Sequence, residues 1–300
     1  MKFTRILLLC ALPLAPALPA RAAVETDIKP ALAPDLHHGR AAKLLALNLP
    51  LRHLNRVPLS DAVSSNALSI YLDQLDFEHV YFLQSDIDEF SAMRDELDDQ
   101  LRAGDLTFAF TVYNVLKTRV ANRVAFVNEL LDQGFDLAQE EAYAWKRKNA
   151  PWPANEEEWN RLWTAKIKNE YVAHLVTRQI GEEEFSAMEG EGAETNASAL
   201  AQLKMTPEER IRKNYDRFLT LLQDNDANWV TERYLNAFTR AYDPHSDYMS
   251  PWGVEDFEIG MKLSLQGIGA LLSSDDGAAK VERLIPGGPA ERDGRLKPGD

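Results

Sequence analysis

Between Asp35 and about Ala241, apolar residues recur at three- and four-residue steps, the period of helices that bury one face. Trp159, Leu162, Trp163, Ile167, Tyr171 and Leu175 mark one such face. Asn155 ahead of it supplies a cap, and Glu156, Glu157 and Glu158 place negative charge at the positive helix end. Thr206-Pro207-Glu208-Glu209 opens another helix, with threonine as cap, proline at the first position and Glu209 at the capping-box position. Its expected buried stripe is Ile211, Tyr215, Phe218 and Leu222. A further helix carries Val230, Tyr234, Leu235 and Phe238 and stops before the residue preceding Pro244. Stretches 62–75, 85–101 and 108–131 share the period. Aromatics and leucines at this spacing read as core rather than as a cofactor box. Gly181 to Leu203 breaks the pattern, with six glutamates among Gly, Ala and Ser, and predicts an acidic mobile loop over 181–205.

After about residue 260 the pattern changes. Leu263 to Leu272 is a glycine-punctuated loop running into an apolar strand. Gly267 and Gly269 flank Ile268, so the backbone there can adopt conformations closed to residues with a Cβ, and successive N–H groups can converge on an anion. The run Ile268–Leu272 suits a strand whose edge accepts an extended peptide. Asp276-Gly277 marks a hairpin turn, Ala278–Ile285 the returning strand, and Pro289-Ala290-Glu291-Arg292 a short helix. In this order, with Pro286-Gly287-Gly288 and Lys297-Pro298-Gly299-Asp300, the segment resembles a PDZ module over residues 251–300, with its second helix and closing strand still to come. The expected fold is therefore a mainly α N-terminal domain over 23–250 followed by an incomplete PDZ domain, a small α+β barrel or sandwich.

Composition narrows the setting. Met1–Ala22 has basic Lys2 and Arg5, an apolar run from Ile6 to Leu14 and an Ala20-Arg21-Ala22 site, the build of a secretory signal peptide. Its loss would take the formal charge of the 300-residue chain from −14 to −17, by removing Lys2, Arg5 and Arg21. So acidic a chain disfavours nucleic acid or an anionic membrane as main partner. The one cysteine, Cys10, lies in the apolar run; bulky Leu9 before it argues against lipidation. The exported chain would carry no thiol, hence no disulfide, cysteine nucleophile or thiolate metal site. Beyond residue 22 no apolar run nears the ~18 residues of a membrane span. Export to the periplasm is expected.

Chemistry is sparse. Gly-x-Ser-x-Gly, His-Glu-x-x-His and a phosphate-binding Gly-rich loop are all missing from the sequence. Of the six histidines, His37-His38 reads as an exposed pair near the mature N-terminus, and His79 and His174 as core or surface residues without a second ligand at useful spacing. Asp243, His245 and Ser246 lie within four positions, but a catalytic triad needs its base between nucleophile and orienting carboxylate, so the segment reads as a turn.

That junction also carries a resemblance. Asp243-Pro244-His245-Ser246-Asp247-Tyr248-Met249-Ser250-Pro251, then Ser264-Leu265-Gln266-Gly267-Ile268-Gly269-Ala270, Gly287-Gly288-Pro289-Ala290 and Lys297-Pro298-Gly299-Asp300, resembles the C-terminal processing (tail-specific) periplasmic serine proteases. Tyr71–Asp76, Tyr81-Phe82-Leu83, Ser85-Asp86-Ile87 and Trp163 look like the helical N-terminal domain of the larger members. The resemblance implies a PDZ domain that captures a substrate's C-terminus and a Ser/Lys dyad that cleaves it, without metal or nucleotide cofactor. It places the carboxylate-binding loop on Gly267, Ile268, Gly269 and Ala270, with Leu272 lining the side-chain pocket. It implies protein substrates with free, apolar C-termini and an adaptor acting through the helical domain. The dyad falls downstream of residue 300, so this chain alone is expected to bind peptide without cleaving it. The alternative is a non-catalytic periplasmic PDZ scaffold or chaperone.

Overall fold

The computed structural model describes residues 29–139, 141–187, 205–262, 267–275 and 278–300; the predicted signal peptide and Cys10 lie outside them. Helices α1 (Leu36–Arg52), α2 (Asp61–Leu75), α3 (Gln84–Ser91), α4 (Leu97–Ala103), α5 (Thr107–Gln133), α6 (Glu156–Ala187), α7 (Pro207–Asp224), α8 (Ala227–Tyr242) and α9 (Pro251–Met261) precede a hairpin of β1 (Ala270–Asp275) and β2 (Ala278–Leu284) and a short helix α10 (Pro289–Asp293).

Helix starts follow local capping chemistry. Thr206 and Glu209 form the reciprocal box expected of them, and the Asn155 side chain accepts the Glu158 N–H at 3.0 Å. Tyr242 closes α8, and Asp243 caps it by donating its N–H to Thr239 O at 3.1 Å. The core is continuous across α1–α8, with α2 packed on α8, α5 on α7 and α1 on α4. Tyr71 of α2 meets Tyr234 of α8 edge to face at 5.2 Å and donates its hydroxyl to Ala109 O of α5 at 2.9 Å. Tyr113 of α5 donates to Leu222 O of α7 at 2.6 Å.

Four expectations are corrected. His38, expected in an exposed pair with His37, is 3% exposed: as the third residue of α1 it faces the core beside Phe110, with its Nε2 3.1 Å from Asn228 Oδ1 of α8. Residues 85–101 form two helices, because Asp98 turns inward and is buried: its carboxylate accepts the Ser64 hydroxyl at 2.9 Å and its N–H donates to the same oxygen at 2.7 Å. A run of i→i+3 bonds through residues 90–96 makes the bend this requires. Phe218 sits at the rim, 39% exposed and stacked on Tyr81 at 5.6 Å, while Ile211, Tyr215 and Leu222 are buried as expected. Helix α6 continues past Gly181 to Ala187; the remainder of the predicted acidic loop, 188–204, lies outside the described residues.

The segment between α2 and α3 has little regular structure yet sits at the centre of the packing. The buried Asp76 carboxylate accepts the N–H groups of Val80, Tyr81 and Phe82 at 2.9, 3.0 and 3.0 Å and the Trp152 indole N–H at 3.1 Å. Burial holds its carboxyl above the ordinary range, and these four donors offset only part of that rise. Trp159 and Trp163, one turn apart on α6 and both buried, donate their indole N–H groups to one acceptor, Val80 O, at 2.7 and 2.8 Å. His79, at φ +54°, stacks on Trp152 with ring centroids 3.6 Å apart and hydrogen-bonds Ala150 O through Nδ1 at 2.6 Å. Gln84 donates its N–H to Pro153 O at 2.9 Å. The strap from Gly134 to Asn155 is thereby fastened to the α2–α3 turn.

Removing the carboxylate strands several buried donors together. Asp76→Ala is expected to destabilise the helical body by about 3–5 kcal/mol, with Asp76→Asn milder because one acceptor oxygen remains. Urea unfolding followed by tryptophan fluorescence checks this, and a loss below about 1 kcal/mol for the alanine variant would contradict the role given to Asp76.

Candidate functional site

The glycine bend at 267–269 is held by the hairpin and α10; residues 263–266, at the start of the predicted loop, lie outside the described residues. Strands β1 and β2 pair antiparallel from Ala270 opposite Leu284 to Asp275 opposite Ala278, with a register shift at Leu271/Leu272 that leaves Glu282 as the extra residue of β2. On its other side β2 meets the end of the chain: Val281 donates its N–H to Asp300 O at 2.8 Å, and Gly299 donates to Val281 O at 2.7 Å. Strand β2 is therefore flanked on both edges, whereas β1 pairs, among the described residues, with β2 alone.

Two carbonyls hold the loop in place. Ile268 O accepts the Ala290 N–H from α10 at 2.8 Å, and Gly269 O accepts the Ile285 N–H at 2.8 Å. A trans peptide points its N–H opposite to its C=O. With the carbonyls of 268 and 269 turned inward, the N–H groups of Gly269 and Ala270 face away from α10 and β2. Gly269 carries the turn at φ +78°, and a Cβ there would lie 3.0 Å from both Gly288 Cα and Pro289 Cδ. Gly288 is as constrained, since its own Cβ would meet Ile285 O at 2.8 Å.

An open groove of about 400 Å³ lies beside the loop, lined by Ile268, Pro289, Ala290, Asp293, Arg295 and Leu296. Of the five residues expected from sequence, Ile268 lines this groove. Gly269 and Ala270 form the bend into β1, Gly267 is exposed, and Leu272 stands in β1 opposite Val281, half exposed. Sequence reasoning missed the α10 side of the groove. Asp293 and Arg295 pair there, and a charged pair beside a Gly-Gly-Pro-Ala turn has no period to announce it.

The Asp243–Tyr248 junction forms a turn, as expected: Ser246 N–H donates to Asp243 O at 3.0 Å. Its serine also meets a histidine from another element. His53 Nε2 lies 3.1 Å from Ser246 Oγ, which is 3.3 Å from Asp243 Oδ2. His53 Nδ1 accepts the Asn55 N–H at 3.2 Å, so Nε2 carries the proton and donates to the serine. With serine in the middle and the histidine as donor, this relay cannot deprotonate the hydroxyl. It is a clasp between the end of α1 and the junction.

A long-helix body locked on an irregular 76–83 turn, followed by a glycine-bent hairpin, describes a helical N-terminal domain with a small β element behind it. The family model described as "Tail specific protease N-terminal domain" matches residues 45–252. A tail-specific protease of Haemophilus influenzae is 33% identical over 261 residues, covering 87% of this chain and 34% of the relative. The chain belongs to the tail-specific protease family. It spans about a third of the length of that relative. Among the described residues no helix is long and apolar enough to cross a membrane.

The geometry of Gly269 yields a paired prediction. Gly269→Ala combines left-handed backbone strain of roughly 1–3 kcal/mol with the close approach to Gly288, and should free the loop from its anchors. Amide hydrogen exchange at Ile285 and Ala290 should quicken by about tenfold or more. Gly267→Ala, where a Cβ meets nothing within 4 Å, should leave both unchanged. Equal effects of the two variants would contradict the loop's anchoring.

Proposed function

We propose that this chain is the N-terminal part of an exported, periplasmic tail-specific serine endopeptidase and serves as its substrate-capturing portion. In this reading residues 1–22 are a signal peptide, 23–250 the helical domain with an acidic loop over 181–205, and 251–300 the first part of a PDZ domain. The observation that carries it is the loop's polarity: the Ile268 and Gly269 carbonyls are spent inward, and the Gly269 and Ala270 amides face outward beside the open edge of β1. A terminal carboxylate fits those amides, and the preceding residues of the tail add to β1 as a strand. Gly267, Ile268, Gly269 and Ala270 are the carboxylate loop of this reading, with Leu272 contributing to the side-chain pocket.

Cleavage is assigned to a Ser/Lys dyad C-terminal to residue 300, a serine hydroxyl activated by a neutral lysine amine whose pKa burial depresses. No metal or nucleotide takes part. Its partners are proteins with free apolar C-termini. An adaptor acting through the helical body belongs to the same reading, supported by the outward row Leu44, Leu47 and Leu51 of α1.

Fluorescence anisotropy with a labelled peptide ending in apolar residues tests the capture step. Hydrogen bonds to a charged acceptor contribute about 1.5–3 kcal/mol each, so amidating the terminal carboxylate should weaken binding at least about tenfold. Equal affinity for the two peptides would exclude the amide nest. The same chain should leave both peptides uncleaved, and their hydrolysis would remove the assignment of the dyad to residues beyond 300.

A further inference from the structure

Helix α1 carries its larger apolar side outward. Its buried apolar residues are Ala42, Ala46 and Leu49. Leu36, Leu44, Leu47 and Leu51, with Leu54 just beyond the helix, are between 59% and 93% exposed. At 3.6 residues per turn Leu44, Leu47 and Leu51 fall within about 60° of one another and make a single row. A helix that served only the core of this chain would turn such a row inward.

The charges around the row are as one-sided. No Asp or Glu occurs from Leu36 to Ser60, whereas Arg40, Lys43, Arg52 and Arg56 do, so this segment is +4 against −17 for the exported chain. All four basic residues are exposed. The helical period sets Lys43 on one flank of the row, Arg52 on the other, and Arg40 in line with it one turn earlier. Among the described residues no ion pair holds any of the four, while Arg102, Arg119, Arg212 and Arg240 each hold an aspartate. The acidity that disfavours an anionic membrane for the chain as a whole is therefore not carried here, and beyond roughly 8–10 Å it is screened at physiological salt.

We propose that the outward face of α1 docks on the surface of an anionic phospholipid bilayer. The helix lies flat, with Leu44, Leu47 and Leu51 at the boundary of the acyl chains and the flanking basic side chains at the lipid phosphates. Leucine on one face with Lys and Arg beside it is the build of a helix that lies in the interface plane. Each basic residue adds attraction to a negatively charged leaflet, and long Arg and Lys stems reach the headgroups while covering apolar surface. A second copy of α1 fits the row poorly, because Lys43 and Arg52 would meet their own like charges. A protein partner is disfavoured by residue type: the energetic centres of protein interfaces are rich in Trp and Tyr and poor in Leu, and the row holds no aromatic side chain. A bilayer asks only for apolar bulk and positive charge. Lipid and an adaptor would compete for Leu44, Leu47 and Leu51; here the row goes to lipid, and an adaptor is left another face of the helical body. Docking through α1 is independent of tail capture at β1.

Co-sedimentation with vesicles tests the docking, using the exported chain from residue 23 so that the apolar leader cannot itself insert. Binding is expected to vesicles of equal parts phosphatidylglycerol and phosphatidylcholine, and at least about tenfold weaker binding to phosphatidylcholine alone. Leu47→Gln with Leu51→Gln alters two exposed side chains and so preserves the fold; it should weaken binding by about tenfold or more. Arg40→Gln with Arg52→Gln should weaken it by about fivefold for each charge removed. A polarity-sensitive dye on Leu47→Cys, the single thiol of that chain, should shift to the blue on the anionic vesicles, and the same dye on Glu157→Cys of α6 should not. No binding to the anionic vesicles, equal binding to both kinds, indifference to either pair of substitutions, or equal dye shifts at the two sites would each overturn the assignment. So would capture of an acidic protein through Leu47 and Leu51 by a chain that does not bind the vesicles.

Discussion

Two acceptors organise the helical body: the Asp76 carboxylate and the Val80 carbonyl. Between them they take six hydrogen bonds, four at Asp76 and two at Val80, from the 80–82 turn, the strap and α6. The segment they control cannot satisfy its own main-chain groups by helix or sheet, and burial forbids water as a substitute. Asp76 therefore stands in for a helix, collecting three successive N–H groups of residues 80–82. The tryptophans do the reverse, bringing indole donors to a carbonyl that would otherwise be stranded. Both arrangements place large aromatic surface against the same turn, so the polar lock and the apolar burial reinforce one another. The bidentate ion pair between Arg119 of α5 and Asp86 of α3, at 2.6 and 2.9 Å, extends this fixation to the next helix.

The hairpin region is built on the opposite economy. Among the described residues few of its side chains are buried, Val281 and Ala290 being the apolar ones. Its shape comes from main-chain bonds and from glycines whose missing Cβ atoms allow close approach. A loop defined this way fixes peptide planes rather than side-chain pockets, which suits recognition of a group every protein possesses, its terminal carboxylate. Selectivity among tails would then fall to the apolar groove beside Ile268. The helical body is thus locked by aromatic donors, and the hairpin region is defined by its backbone.

How much of this was legible in the sequence depended on whether the determining interaction was local. Caps and stripes were: Thr206 with Glu209, Asn155 with Glu158, and the Trp159–Trp163–Ile167 face involve residues within a turn or two of one another. The hairpin and α10 were legible for the same reason, through Asp276-Gly277 and Pro289. The break between α3 and α4 was not, because it answers to Ser64, more than thirty residues away in α2. Phe218 kept helical period yet faces the rim, since period gives a direction and not the extent of the neighbour it meets. His38 went unrecognised as buried because its partner Asn228 lies 190 positions downstream. At the candidate site the loop itself could be read, but not the groove's second wall, which chain return from Asp293 to Leu296 supplies.

Capture of a protein tail at the open edge of β1 is the central proposal, and backbone NMR reads it where it should occur. A peptide with an apolar, free C-terminus should shift the Gly269 and Ala270 amides most and slow hydrogen exchange along β1, leaving α1–α8 unperturbed. Peptide-induced changes centred on the helical body, with Gly269, Ala270 and β1 unaffected, would contradict it.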